Sequence, residues 1–388
     1  MNMTLKYGLN PHQHPAKLVL PDPSPLKILN GQPGYINLLD AFGAYQLARE
    51  LKAATGVPGA ASFKHTSPAG AAIAKPLTET YLTSQFLNKK DLSPVATAYL
   101  RARGGDRMSS FGDVAAVSEI VDVPLANVLR RETSDLLIAP GYEPKALEIL
   151  KAKKQGGYLI LQIDPDYEPP PVERRTLYGF QMEQPRNDAA ITRDLFTHIV
   201  SADKTLPDHA RDTLIVATIA LKYTQSNSIC VAYDGQVIGM GAGQQSRIHC
   251  TRLACDKADK WFLQQHPKTL DLAFKKTLKR LEKTNIVDQY ILWDQLSEPE
   301  EAQMMSGLDN TPARITQGDR LAWLAQFDGI CLSSDAYIPF RDNIDRAQRS
   351  NVQYIAQTGG SARDGEVTKA GDEYGIVMVH TGLRLFVH

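Results

Sequence analysis

Apolar positions recur at helical spacing early in the chain. Leu38, Phe42 and Tyr45 fall on one face, Asn37 is placed as an N-cap and Asp40 follows three residues later. This predicts an amphipathic helix over roughly 38–54, stopped by Gly56, Pro58 and Gly59. Residues 60–63 form a short apolar run that reads as a buried strand, and Lys64 and His65 follow it directly. Ser67 then offers an N-cap and Pro68 an N1 proline, so a second helix is expected there, with the Lys-His pair at a strand-to-helix turn. In open α/β sheets ligands bind in that crevice, and a helix start points free N–H groups into it.

Further along, Pro207 opens a helix that ends by Tyr223, although the β-branched run 213–219 also suits a strand. Residues 228–232 and 236–240 read as two strands joined at Asp234-Gly235, a hairpin signal. A helix from 246 to about 265 and buried strands at 354–356 and 376–379 complete the pattern. Three successive prolines, 169–171, mark a crossing, and we set a boundary near 190, giving two α/β lobes, 1–190 and 191–388. Neither a short repeat nor a low-complexity tract is evident.

Composition narrows the function classes. With 43% hydrophobic and 22% charged residues the chain reads as an ordinary globular protein. Its 43 basic and 43 acidic residues cancel, which argues against nucleic acid or membrane as partner; a phosphorylated ligand would need a local basic pocket. No apolar run is long enough for a membrane span, and the N-terminus lacks an apolar signal core. Four cysteines are too few for a disulfide framework, so a reducing cytoplasm is expected.

Several segments hold candidate chemistry. A lysine beside a histidine can favour a neutral imidazole by like-charge repulsion, which suits general-base work; a solvated lysine and a capping histidine are the plainer alternative for Lys64 and His65. The Asn227 amide, between a helix and a strand, could orient a substrate amide or simply shape a turn. The glycines of 239–247 (Gly-Met-Gly-Ala-Gly-Gln-Gln-Ser-Arg) could admit a phosphate or carboxylate to the backbone, or only form a tight turn. Asp335, Arg341, Asp342 and Asn343, beside Tyr337 and Phe340, suit an aromatic heterocycle with hydrogen-bonding edges, or a charged helix cap. Cys250 and Cys255 beside His249 lack the accompanying Cys-x-x-Cys and His-x-Glu elements of a zinc deaminase, and no Gly-x-Ser-x-Gly elbow occurs.

Together these segments resemble one family. They are Tyr7-Gly8-Leu9-Asn10-Pro11-His12-Gln13, Ser62-Phe63-Lys64-His65-Thr66-Ser67-Pro68-Ala69-Gly70, Arg107-Met108-Ser109-Ser110-Phe111-Gly112-Asp113, Lys222-Tyr223-Thr224-Gln225-Ser226-Asn227-Ser228 and Gly243-Gln244-Gln245-Ser246-Arg247-Ile248-His249-Cys250. The chain is similar, from about residue 5 to His388, to the transformylase half of the family that joins 5-aminoimidazole-4-carboxamide ribonucleotide (AICAR) formyltransferase to IMP cyclohydrolase. The resemblance implies a duplicated cytidine-deaminase-like α/β fold in three layers, without its zinc. It also implies a cytoplasmic homodimer whose active sites draw on both subunits.

The implied substrates are AICAR and 10-formyltetrahydrofolate, with no catalytic metal; a structural potassium ion stays open. By resemblance His65 accepts the proton of the substrate amine, Lys64 stabilises charge as the formyl group leaves the folate, and Asn227 orients amine and carboxamide. Lys6, Tyr7, Gly112, Asp135, Arg247, Tyr337 and Arg384 fall where the family binds the ribonucleotide, and Ile248, Asp342, Ser361 and Ala362 where it binds folate. Two positions depart from the family: Lys6 stands for an arginine and loses the bidentate fork, and Tyr337 stands where phenylalanine is common. The chain starts almost at the transformylase segment, so formyl transfer without ring closure is expected. A non-catalytic AICAR or folate sensor and a zinc-dependent nucleoside deaminase on a related fold are the competing readings.

Overall fold

The computed structural model describes residues 2–87 and 92–388. Strands β1 (Asn2–Leu5) and β2 (Ala16–Val19) pair with each other, and β3 (Leu26–Asn30) leads to helix α1 (Tyr35–Thr55). The next elements are β4 (Gly59–Lys64), β5 (Ser67–Ile73), α2 (Glu79–Ser84), α3 (Pro94–Gly104), β6 (Asp113–Val117), α4 (Val123–Leu129), β7 (Ser134–Ala139), α5 (Pro144–Lys151) and β8 (Leu159–Ile163). A separate hairpin, β9 (Val172–Leu177) and β10 (Phe180–Pro185), comes next. The chain continues through α6 (Asp208–Lys222), β11 (Ile229–Tyr233), β12 (Gln236–Gly241) and α7 (Arg247–Leu263). Four helices follow: α8 (Pro267–Leu270), α9 (Arg280–Ile291), α10 (Glu298–Ser306) and α11 (Gln317–Leu324). The last elements are β13 (Cys331–Ser334), α12 (Asp342–Arg349), β14 (Tyr354–Gln357), α13 (Asp364–Glu373) and β15 (Val377–His380).

Eleven strands form one sheet in the order β15-β14-β13-β11-β12-β5-β4-β6-β7-β8-β3. Outward from its centre, β5-β4-β6-β7-β8 on one side matches β12-β11-β13-β14-β15 on the other, each a hairpin followed by three strands parallel to one another. Alternate strand residues feed opposite faces. Ala61 and Phe63 pack with α1 and α6 residues such as Leu47 and Leu214, whereas Ala60 and Ala72 pack with α3, α4 and α5 residues such as Tyr99, Leu125 and Leu150. On that second face the other half packs Cys250, Ile344 and Val367 from α7, α12 and α13. The result is a helix–sheet–helix sandwich. No helix among the described residues is long and apolar enough to cross a membrane.

Most sequence-read elements appear, with two corrections. Helix α1 starts three residues early, capped at Gly34; Asn37 lies inside it and its Oδ1 accepts the Gly34 N–H at 3.0 Å. More consequentially, the segment from Ser67 is strand β5, not a helix. Pro68 sits opposite Phe63 at an irregularity in the ladder, where its missing N–H is tolerated. The run Ala69-Gly70-Ala71-Ala72 lets helices pack closely on the strand, and a Cβ on Gly70 would lie 2.1 Å from the Ala102 carbonyl oxygen of α3. For 213–219 the helix holds, its β-branched residues being buried between α1 and the sheet.

Candidate active site

The ends of β4, β12, β13, β14 and β15 and the starts of β5, β6, β7 and β11 lie at one end of the sheet's strands. Loops and first helical turns at this end carry Lys64, His65, Gly112, Asn227, Arg247, Ile248, Tyr337, Asp342, Ser361, Ala362 and Arg384, and Asp135 is the second residue of β7. Lys6 and Tyr7 follow β1, with the Lys6 ammonium 6.0 Å from the Tyr7 ring centre. No hydrogen bond or ion pair among the described residues ties those two to the set.

His65 and Thr66 form a two-residue hairpin turn, both in the left-handed region at φ 55° and 59°. The His65 side chain is exposed, and the Thr66 N–H donates to Oδ1 of buried Asp40 at 2.6 Å. The Lys64 ammonium donates to the Phe111 carbonyl oxygen at 2.7 Å, leaving two N–H bonds for a ligand. The Phe111 loop is anchored from behind. Asp113 is buried, takes hydrogen bonds from the Ser62 hydroxyl and the Arg103 guanidinium at 2.7 Å each, and Arg103 also donates to the Ser110 carbonyl at 2.7 Å. Gly112, at φ 76°, donates its N–H to the Thr133 carbonyl, and exposed Asp135 pairs with Lys154.

The Asn227 loop is built on a buried carboxylate. Asp335, 0% exposed, accepts the Ser226 hydroxyl (2.7 Å), the Ser228 N–H (2.9 Å) and the Ser228 hydroxyl (3.0 Å), and pairs with the Arg247 guanidinium. Arg247 in turn donates to Asn227 Oδ1 at 3.0 Å, and Asn227 Nδ2 donates to the Gln245 carbonyl at 3.2 Å. The C-terminal segment is tied into the same knot. Leu385 donates to the Asp335 carbonyl at 2.8 Å and the Ser226 N–H to the Val387 carbonyl at 2.9 Å. Arg384, just before them, is exposed and lies over Phe386. Among the described residues a hydrogen bond joins the two halves of the site: the Gln225 N–H donates to the Ser67 hydroxyl at 3.4 Å, setting the Asn227 loop against the Lys64–His65 hairpin.

Other candidates separate. Asp335 turns inward, whereas Arg341 pairs with Asp345 and Glu373. Asp342 accepts from Asn343, whose Oδ1 takes the Thr251 hydroxyl of α7. Ser361 and Gly360 donate their N–H groups to Asp364 at the start of α13, and Ala362 is exposed beside them. Tyr337 and Phe340 are exposed, with Arg363 over the Phe340 ring. All four cysteines are buried and free, and burial pushes the Cys250 thiol up to about 11 and the Cys255 thiol up to about 12, far from thiolate at neutral pH. Among the described residues no group of three or more His, Cys, Asp or Glu side chains could hold a metal ion.

Sequence reasoning missed the supporting shell of Asp40, Ser62, Arg103 and Ser67. Asp40 did leave a signal: Asp40, Ala44, Leu47 and Leu51 stand at i, i+4, i+7 and i+11, which puts a carboxylate on the apolar stripe.

A family model described as AICARFT/IMPCHase bienzyme matches residues 1–257. The chain belongs to that family. Among curated members, the bifunctional purine biosynthesis protein PurH of Roseobacter denitrificans is 30% identical over 390 residues, covering 99% of this chain and 60% of that protein. PurH of Rhodospirillum rubrum is 29% identical over 393 residues (100% and 60%), and PurH of Xylella fastidiosa 29% over 397 residues (99% and 58%). The chain thus spans about 60% of the length of these AICARFT/IMPCHase relatives.

Proposed function

We propose that this chain transfers a formyl group from 10-formyltetrahydrofolate to the 5-amino group of AICAR, a step of purine synthesis. The observation that carries the reading is the Ser67–Gln225 contact, which brings the Lys64–His65 turn and the Asn227 loop together at one end of the sheet. Membership of the AICARFT/IMPCHase family supports it.

The AICAR amine is delocalised into its ring and carboxamide and is a poor nucleophile. A neutral His65 imidazole takes its proton as nitrogen attacks the formyl carbon. The carbon becomes tetrahedral and its oxygen gains charge, which the Lys64 ammonium meets with N–H bonds not used by Phe111. The bond to the folate nitrogen then breaks, that nitrogen regains a proton, and formyl-AICAR and tetrahydrofolate leave. Asn227, held by Arg247, orients the amine and carboxamide. Lys6, Tyr7, Gly112, Asp135, Arg247, Tyr337 and Arg384 contact the ribonucleotide; Ile248, Asp342, Ser361 and Ala362 contact the folate. Several of these are exposed in the single chain, as a site shared between two subunits requires.

The same reading makes each half, 1–190 and 191–388, a cytidine-deaminase-like unit without zinc, which the repeated strand order supports. A cytoplasmic homodimer belongs to it, and the potassium-against-sodium comparison below decides whether a structural potassium ion does. So does support from the β9–β10 hairpin, whose residues are all exposed, Tyr178 to 98%, and whose apolar face of Leu177, Phe180 and Met182 suits burial against a second copy.

The deciding assay follows tetrahydrofolate release from 10-formyltetrahydrofolate with AICAR, in potassium and in sodium buffer. We expect turnover in the wild type and, for His65→Ala, a loss of roughly 10²–10⁴-fold with AICAR still bound. Binding of both ligands without turnover in the wild type identifies a sensor, and a near-normal His65→Ala rate removes His65 from the mechanism. The product also tells whether ring closure lies outside this chain: formyl-AICAR should accumulate without inosine monophosphate.

A further inference from the structure

We propose that Asp40 is a positioning residue for His65: its carboxylate, buried under the β4–β5 turn, fixes the left-handed backbone that presents the imidazole and supports positive charge on that ring. The proposal rests on the reading of His65 as proton acceptor.

The turn is locally unfavourable. Its two residues both have positive φ, a conformation that suits Asn-Gly, yet they are a histidine and a β-branched threonine. The ladder closes with Lys64 opposite Ser67, so the N–H groups of His65 and Thr66 fall outside it and need other acceptors. Successive N–H groups in such a turn form a concave anion site. Asp40 occupies it, taking the Thr66 N–H at 2.6 Å and facing the His65 N–H. The carboxylate reaches there from α1 and is 4% exposed.

Charge couples the same two residues. Burial pushes the Asp40 carboxyl above the usual carboxylate range, while the Thr66 N–H and the nearby His65 pull it back. The neighbouring ionic groups are engaged elsewhere. On the same turn Lys64 gives its ammonium to Phe111; on α1 Glu50 pairs with Lys222 of α6; on β6 Asp113 pairs with Arg103. Of the ionisable groups around Asp40, His65 is thus left to respond to its charge. When the imidazole takes the substrate proton, the new charge arises on the turn that the Asp40 carboxylate holds, and the opposite charge favours it.

The test separates this role from simple support of the fold. Asp40→Asn keeps an acceptor for Thr66 and removes the charge. The titration of His65 is read by NMR on histidine-labelled full-length protein, its resonance assigned by loss in His65→Ala. We expect the His65 midpoint to fall in Asp40→Asn and kcat to drop several-fold with it, with the KM for AICAR little changed. Asp40→Glu should restore part of both. An unchanged His65 midpoint overturns the proposal, even if stability drops. This readout needs no turnover, so loss of the formyl-transfer reading and loss of the Asp40 role are told apart. Should Asp40→Asn fail to fold, the wild type decides: the Thr66 amide proton should shift with a carboxylate titration at acid pH, and an amide indifferent to pH there overturns the proposal.

Discussion

At the residue scale, the site depends on groups that share a partner. The Lys64 ammonium is held by one carbonyl and keeps two donors for a ligand. Lys64→Met should lower the single-turnover formyl-transfer rate by roughly 10²–10³-fold, as loss of an oxyanion donor does, and leave AICAR binding little changed; rapid-quench kinetics checks this. Arg247 serves Asp335, Ser228 and Asn227 at once, in a buried fork that lysine cannot reproduce. Arg247→Lys should cost about 1–3 kcal/mol in urea unfolding, because a buried acceptor is left unpaired. Asn227 should lose its orientation as well, raising the KM for AICAR. That Lys64, His65, Asn227 and Arg247 come to one end of the sheet was legible, since they stand in recognisable segments. What Asp40 and Asp335 hold was not, because they meet those residues only through the fold, across chain separations that local patterns do not span.

At the element scale, local chemistry misread one segment and the reason is physical. Ser67-Pro68 can begin a helix, but it can equally begin a strand after a tight turn, at a ladder irregularity where proline costs little. What decides is distant: a helix backbone lying against Gly70. The α6 segment was legible because its length and proline start outweighed its β-branched run. Each half places a glycine of the hairpin's second strand against a helix later in the same half, Gly70 against α3 and Gly239 against α7. A Cβ on Gly70 would lie 2.1 Å from the Ala102 carbonyl oxygen, and one on Gly239 2.0 Å from that of Ala254 in α7. Neither backbone can yield without moving its helix. Gly239→Ala should therefore destabilise by about 1–3 kcal/mol or more, read as a lower denaturant midpoint. Its damage should extend to activity, because α7 begins with Arg247 and Ile248 and moves with the strand.

At the scale of the whole molecule, a duplicated unit was expected from the resemblance, but the pattern of apolar positions did not show the repeated strand order. A buried strand or helix face needs apolar residues at the right period, not the same residues, so two halves can share a topology without sharing segments. Their contact was equally hidden. Among the described residues Gln236 pairs with Ala72 between β12 and β5, the Ile73 N–H donates to the Gly235 carbonyl beside them, and a buried ionic knot adds to the join. Glu132 follows α4 in the first half and accepts from Arg103 and Arg107, while Arg280 reaches it from α9, within the second half. Burial pushes the Glu132 carboxyl up, but Arg107, Arg103 and Arg280 outweigh burial and hold it below the usual carboxylate range. A carboxyl lowered by folding stabilises above its unfolded value, near 4.5, and that stabilisation fades as pH falls toward its folded value. Glu132→Gln leaves buried guanidinium groups without their counter-charge, which should cost about 3–5 kcal/mol at neutral pH. The difference in melting temperature between wild type and Glu132→Gln should then narrow as pH is lowered through 4.5, because acid neutralises the wild-type carboxylate while the amide does not titrate. A difference that stays constant across that range would mean the knot contributes packing and hydrogen bonds, not charge, to holding α9 against the first half.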